Sequence, residues 1–212
     1  MSNSGDSLPI VWRLRREGMD CAIYIHNPAY KHNYDNLVPR VPIGSLRRTL
    51  LGVDTVIFDI IRPNEKTRQD VALLKLFKVR TGSPTVFGPV ADKMKKHLLV
   101  IGASEWTEDL ELNRFKGTEI AQKIGLKIPE TQDFKSLKEG IKFLKGKKDR
   151  WVFKPHNNQD IDLTYVEKFP GELAMKMQED YEERLGGGKI EYMLQKFVDG
   201  YEISTEGWWD GL

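Results

Sequence analysis

The sequence predicts an α/β protein: a parallel-sheet domain over residues 1–104, then a second domain of mixed helices and strands over 105–212. Three observations carry that expectation. Short apolar runs at 21–25, 55–59 and 98–101 are separated by helix-like segments at 65–77 and 90–96, the alternation of a parallel sheet. These runs are apolar on both faces, as strands covered on both sides are. Two more apolar strands, 151–153 and 190–198, follow an acidic stretch at 105–114 and are interleaved with amphipathic helices.

The elements follow in order. Ser4, Gly5, Asp6 and Ser7 offer caps for a first helix, Pro9 suits its first turn, Ile10, Val11 and Leu14 recur at helical spacing, and Gly18 stops it. A doubly wound domain ordinarily opens on a strand before such a turn; here there is no room for one ahead of Ser2. The acidic segment 105–114 reads as the link between the halves. Asn113 can cap a helix ending near Lys123, with Gly125 as its stop and Pro129 breaking the chain. Residues 134–144 read as one amphipathic helix with Leu137, Ile141 and Leu144 on its apolar face, 145–150 as a basic loop, and 173–185 as another helix. Gly186, Gly187 and Gly188 make a flexible turn, and Trp208 and Trp209 read as core. There is no internal repeat.

Composition excludes several classes. The chain has 212 residues, 40% hydrophobic and 30% charged, with 33 basic and 31 acidic side chains and a net charge of +2. That balance gives no whole-chain argument for nucleic acid or an anionic membrane. Cys21 is the only cysteine, so no intrachain disulfide or cysteine-rich zinc site forms. Residues 1–7 are polar and are not a signal peptide, and no apolar run approaches the roughly 18–20 residues that span a bilayer. A cytoplasmic location is expected. His26, His32, His97 and His156 lack the spacing of a zinc helix, and no Walker loop, kinase signature or nucleophile elbow is present.

The chemistry concentrates in the last third. Trp151, Val152 and Phe153 deliver Lys154 into a turn before Pro155, and a second apolar strand brings Gln195 41 positions later. Alone, Lys154 reads as a surface lysine at a strand end. With the second strand at that spacing, it reads as a point charge for phosphate. Gln195 to Val198 then form a hinge whose backbone groups, at Phe197 and Val198, can meet an adenine. Glu202, two residues past Gly200, can accept ribose hydroxyls, or it is a solvated acid. Arg114 is either a second phosphate contact or a surface charge paired with Glu111 or Glu119. The turn at 4–7 is only a weak anion site, since Asp6 would repel phosphate.

At these residues the chain resembles the ATP-grasp superfamily, and more narrowly phosphoribosylamine–glycine ligase (glycinamide ribonucleotide synthetase) and its phage-encoded relatives. The resemblance is carried by 102–114, by the turn at 125–131, by 151–155 and by 194–204; it is clearer from residue 100 onward than before it. It implies a pre-ATP-grasp domain followed by an ATP-grasp lid, roughly 127–195, and the start of the catalytic core. Such enzymes phosphorylate a carboxylate with ATP and let an amine attack the acyl phosphate. Purine biosynthesis, ATP and Mg²⁺ come with the narrower resemblance. Lys154 and Arg114 match the two basic phosphate contacts, the second usually lysine. Gln195, Phe197 and Val198 match the adenine hinge, where the first is more often glutamate, and Glu202 matches the ribose acid.

Three departures stand out. His156 and residues 157–160 replace a glycine-rich phosphate loop, residues 2–8 replace the glycine turn that recognises phosphoribosylamine, and the Mg²⁺ ligands are expected beyond Leu212. The expectation is therefore the N-terminal part of a carboxylate–amine ligase, truncated, inactive alone and prone to self-association through an unpaired sheet edge. Its partners are ATP and small carboxylate and amine substrates, without nucleic acid or membrane. The alternative is a non-catalytic nucleotide-binding or interaction protein that keeps the fold. A dinucleotide-binding domain is disfavoured, because no GxGxxG follows an early strand.

Overall fold

The computed structural model describes all residues except 34, 60, 157–162, 182–189 and 205–212. The chain divides into two compact units, Met1–Leu112 and Asn113–Leu212. The glycine turn expected at 186–188 and the core tryptophans expected at 208–209 lie outside the described residues.

In the first unit, β1 (Thr55–Ile57) and β2 (Leu99–Ile101) pair in parallel, Val56 opposite Val100. The crossover between them holds α3 (Arg68–Leu76) and α4 (Phe87–Met94), whose Leu73, Leu74, Phe87 and Val90 pack with Val56 and Phe58 in the core. Thr67 and Asp70 close a capping box on α3. The strand expected at 21–25 is reduced to isolated bridges, Ile25 to Ser2 and Ile23 to Arg40. Pro39 and Pro42 flank the second bridge and have no N–H for a longer ladder.

Residues 1–2 form no strand ahead of the first turn, as expected, but they are paired with their neighbours. Ser2 donates its N–H to the Tyr24 carbonyl and accepts from His26 N–H, each at 2.9 Å, while Asp59 N–H reaches the Met1 carbonyl at 3.3 Å. Two residues thus bridge 24–26 and the end of β1. Gly5, at φ +100°, makes the turn into α1 (Leu8–Arg16), a conformation that costs a glycine little. No side chain of 4–7 caps that helix; the Ser7 N–H instead donates to Asp59 Oδ2 at 2.9 Å. A carboxylate therefore already lies against this turn. A short helix α2 (Ile43–Leu50) buries Leu46 in the same core.

The acidic stretch expected as a linker is a helix, α5 (Glu105–Leu112), and Glu108 on it is buried. Its carboxylate accepts the N–H of Gly88 at 2.6 Å and of Arg62 at 3.2 Å. Burial pushes the Glu108 carboxyl above its ordinary range. Gly88 is glycine for a reason, since a Cβ there would sit 2.7 Å from the Glu105 backbone.

The second unit opens with α6 (Arg114–Lys123), capped by the Asn113 side chain, which accepts the Lys116 N–H at 3.0 Å. Its sheet runs β3–β6–β4–β5: β3 (Thr131–Phe134), β6 (Tyr192–Lys196), β4 (Trp151–Pro155) and β5 (Tyr165–Val166), antiparallel throughout. The single helix expected over 134–144 is corrected to β3 followed by α7 (Leu137–Leu144). The helix expected over 173–185 is α8 (Glu172–Lys176) and a wider π-type turn, Met177–Tyr181; the remainder lies outside the described residues. One sheet face packs Trp151, Phe153, Tyr192 and Leu194 on Leu137, Leu144, Leu173 and Met177. Burying each such side chain contributes about 1.5–3 kcal/mol.

Candidate functional site

The other face of this sheet carries the site. Side chains alternate along a strand, and directly opposed residues share a face. Gln195 opposes Thr131 on β3 and Val152 on β4, and Lys154 opposes Met193. Thr131, Asp133, Val152, Lys154, Met193 and Gln195 therefore share this face, away from the core. Val152 and Met193 are buried and give this face an apolar floor.

Lys154 Nζ donates to Gln195 Oε1 at 2.7 Å, Gln195 Nε2 donates to Thr131 Oγ1 at 3.1 Å, and Thr131 Oγ1 donates to the Pro129 carbonyl at 2.9 Å. The directions are set by chemistry: an ammonium only donates, which turns the amide oxygen toward it. Among the described residues no carboxylate lies within ion-pair distance of Lys154. Burial holds its pKa below that of an ordinary lysine, the Arg114 charge adds to this, and Glu202 acts the other way. A half-buried ammonium beside a second cation is a site that an anion would stabilise.

Arg114 is the first residue of α6, and among the described residues neither Glu111 nor Glu119 pairs with it; Glu119 binds Lys123 instead. Phe197 and Val198 follow β6. The Phe197 N–H is taken by the Arg150 carbonyl at 2.9 Å, and the Arg150 guanidinium lies 3.8 Å over the Phe197 ring. Among the described residues the Phe197 carbonyl and Val198 N–H have no backbone partner, and the Val198 side chain is 65% exposed. Glu202 is exposed, near enough to Lys154 for its charge to be felt. His156 N–H is held by the Glu191 carbonyl at 2.8 Å, and its ring stacks on Phe115 at 4.4 Å and 12°. The rest of the expected loop, 157–160, lies outside the described residues.

Thr131, Val152 and Met193 belong to this face and were missed in the sequence. Period-2 alternation through Lys154 and Gln195 would have found Val152 and Met193. Thr131 had no such signal, since β3 reads as polar and Thr131 itself as the end of the turn at 125–131.

A cavity of about 320 Å³ lies in the first unit, lined by Phe58, Asp59, Ile61, Phe87, Ala103, Glu108 and Glu111. Its three carboxylates disfavour a polyphosphate, so the cationic face of the second unit is the better candidate. Among the described residues no three histidine, cysteine or acidic side chains lie together as metal ligands. No helix described is long and apolar enough to cross a membrane.

No protein-family model matches the chain, and no curated protein matches it. Solved structures do. Phosphoribosylamine–glycine ligase from Thermotoga maritima aligns over 94% of this chain and 43% of its own, at 15% identity and TM-score 0.54. N5-carboxyaminoimidazole synthetase from Staphylococcus aureus, complexed with ADP, aligns over 93% and 46%, at 9% identity and TM-score 0.55. N5-carboxyaminoimidazole ribonucleotide synthetase from Thermotoga maritima aligns over 93% and 44%, at 13% identity and TM-score 0.51. The chain spans less than half the length of these proteins. At such identities the likeness is one of fold. The resemblance to ATP-grasp proteins holds at that level: a unit with a parallel strand pair and a unit with an antiparallel sheet, together similar in fold to part of those structures.

Proposed function

We propose that the chain is the ATP-binding part of an ATP-grasp carboxylate–amine ligase of the phosphoribosylamine–glycine ligase kind, with the nucleotide held on the Lys154 face of the second unit. The carrying observation is Lys154 itself: half-buried, hydrogen-bonded to a neutral amide, and pushed toward losing its proton by burial and by Arg114. Phosphate oxygens would meet Lys154 and Arg114, adenine the Phe197 carbonyl and Val198 N–H over Val152 and Met193, and ribose Glu202. In this reading 105–212 is the ATP-grasp portion, with its lid near 127–195. This reading gives the described residues no role in holding Mg²⁺. What they do is bind and orient the nucleotide, and the carboxylate and amine substrates belong to the longer protein.

Titration calorimetry with ATP, with and without Mg²⁺, tests this. The chain is expected to bind, and Lys154→Ala to weaken binding at least about ten-fold, a loss of about 1.4 kcal/mol or more. Equal affinity in both proteins, or none in either, overturns the proposal. A second reading, a nucleotide binder without ligase chemistry, is favoured by the His156–Phe115 stack, which puts a packed ring where a glycine-rich loop would have to move. ATP binding without ADP release from the full-length protein, across a panel of carboxylates and amines, would select it.

A further inference from the structure

The side chain of Gln195 faces Lys154, and this contact carries a consequence that adenine recognition alone does not. We infer that Gln195 is a positioning residue for Lys154: it holds the ammonium in place through a neutral acceptor and so leaves the whole positive charge for phosphate. This rests on the nucleotide-site reading above and adds to it what sets the affinity of that site for polyphosphate.

The geometry is directional from end to end. The Pro129 carbonyl takes the Thr131 hydroxyl proton at 2.9 Å, so the Thr131 oxygen is left to accept Gln195 Nε2 at 3.1 Å. With its nitrogen held there, the amide presents its oxygen to Lys154 at 2.7 Å. The relay spans the adjacent strands β3, β6 and β4 and is anchored on backbone. It uses one of the three ammonium hydrogens, and among the described residues the other two have no acceptor. A glutamate at the same place would put a carboxylate against the ammonium. That pair would be charge-assisted, and an incoming phosphate would have to break it. Burial and the Arg114 charge already work against the protonated lysine, so the arriving anion relieves a stress that a carboxylate at 195 would have removed beforehand.

The test is Gln195→Glu, near-isosteric, titrated with three probes: ATP, inorganic tripolyphosphate and adenosine. ATP and tripolyphosphate are expected to bind about ten-fold more weakly than to the unaltered chain, with a shallower dependence on salt, while adenosine changes less than about two-fold. A merely structural role for Gln195 would weaken all three alike. Thr131→Val removes the hydroxyl that holds the amide and is expected to weaken tripolyphosphate several-fold, with Thr131→Ser restoring it; this arm carries the test if Gln195→Glu does not fold. Polyphosphate affinity undiminished in Gln195→Glu, or in a folded Thr131→Val, overturns the inference and leaves the nucleotide site standing. Failure of the unaltered chain to bind either ATP or tripolyphosphate overturns both.

Discussion

Buried polar chains end in two different ways in this molecule. Around Glu108 and His26 in the first unit, and around Glu167 in the second, which accepts the Trp151 and Leu173 N–H groups, they end on themselves. Glu108 accepts two backbone N–H groups, and His26 links Tyr24, at 3.0 Å, to Asp70, at 2.8 Å, with Arg62 and Glu65 completing the cluster. By contrast, the chain from Pro129 through Thr131 and Gln195 in the second unit ends on Lys154, with Arg114 close by and no carboxylate pairing either among the described residues. A closed chain spends its hydrogen bonds on the fold, since an unmade buried bond costs about 1–3 kcal/mol. A chain ending in an uncompensated cation does little for the fold and is prepared for something outside it.

The comparison breaks most visibly at Glu108. Glu108→Ala leaves the Gly88 and Arg62 N–H groups without their acceptor, and the expected loss is about 3–5 kcal/mol in urea unfolding. Lys154→Ala should change stability by less than about 1 kcal/mol, because the protonated lysine is already penalised by its surroundings. Equal destabilisation by the two variants would make the chain that ends on Lys154 structural as well.

Acid separates the two kinds of chain next. Nδ1 of His26 accepts the Tyr24 hydroxyl and Nε2–H donates to Asp70, so the ring is satisfied while neutral. Burial lowers its pKa, opposed by Asp70, while a histidine in the unfolded chain titrates near 6.5. The unfolded chain then binds the extra proton, and stability falls as pH drops below that value, by up to about 1.4 kcal/mol per pH unit. Burial alone would raise the Asp70 carboxyl, but the His26 and Thr67 hydrogen bonds and the Arg62 charge hold it low, so its share is lost only in stronger acid. Glu108, raised by burial, works the other way and offsets part of the loss. Urea unfolding at pH 7 and pH 5 should show the fall, and His26→Gln should flatten it. No change between the two pH values would remove His26 from the stabilising network. The polar chain that ends on Lys154 contains no histidine and no carboxylate.

How much of this was legible follows from the same contrast. Apolar runs announced β1, β2, β4 and β6, because a strand buried on one or both faces must be apolar there. Strand β3 was hidden: Thr131, Gln132 and Asp133 are polar, and the strand exists because Gln195, Leu194 and Met193 offer it a ladder. Helix α5 was hidden for a related reason, since an acidic stretch reads as solvated and nothing local says that Glu108 will be an acceptor for residues 20 and 46 positions away. Lys154 and Gln195 were both singled out, yet not their contact. The pairing is diagonal across two antiparallel strands and depends on a register set by the whole sheet. Spacing along the chain brings the strands near and leaves the register open.

Helix α6 repeats the comparison at its smallest scale. Lys123 is paired with Glu119 one turn away, both well exposed, whereas Arg114 on the first turn has no carboxylate partner among the described residues. Exposed pairs of this kind are screened by solvent and contribute little. Arg114→Gln is therefore expected to weaken ATP binding by a factor of about three to ten, since one guanidinium–phosphate contact is lost. Lys123→Gln should leave both ATP affinity and the unfolding midpoint unchanged. The ratio between these two isotherms is the sharpest form of the question, because the variants carry the same charge change on the same helix. If they weaken ATP equally, the attraction is only the general field of a basic helix, and Arg114 is no part of a site.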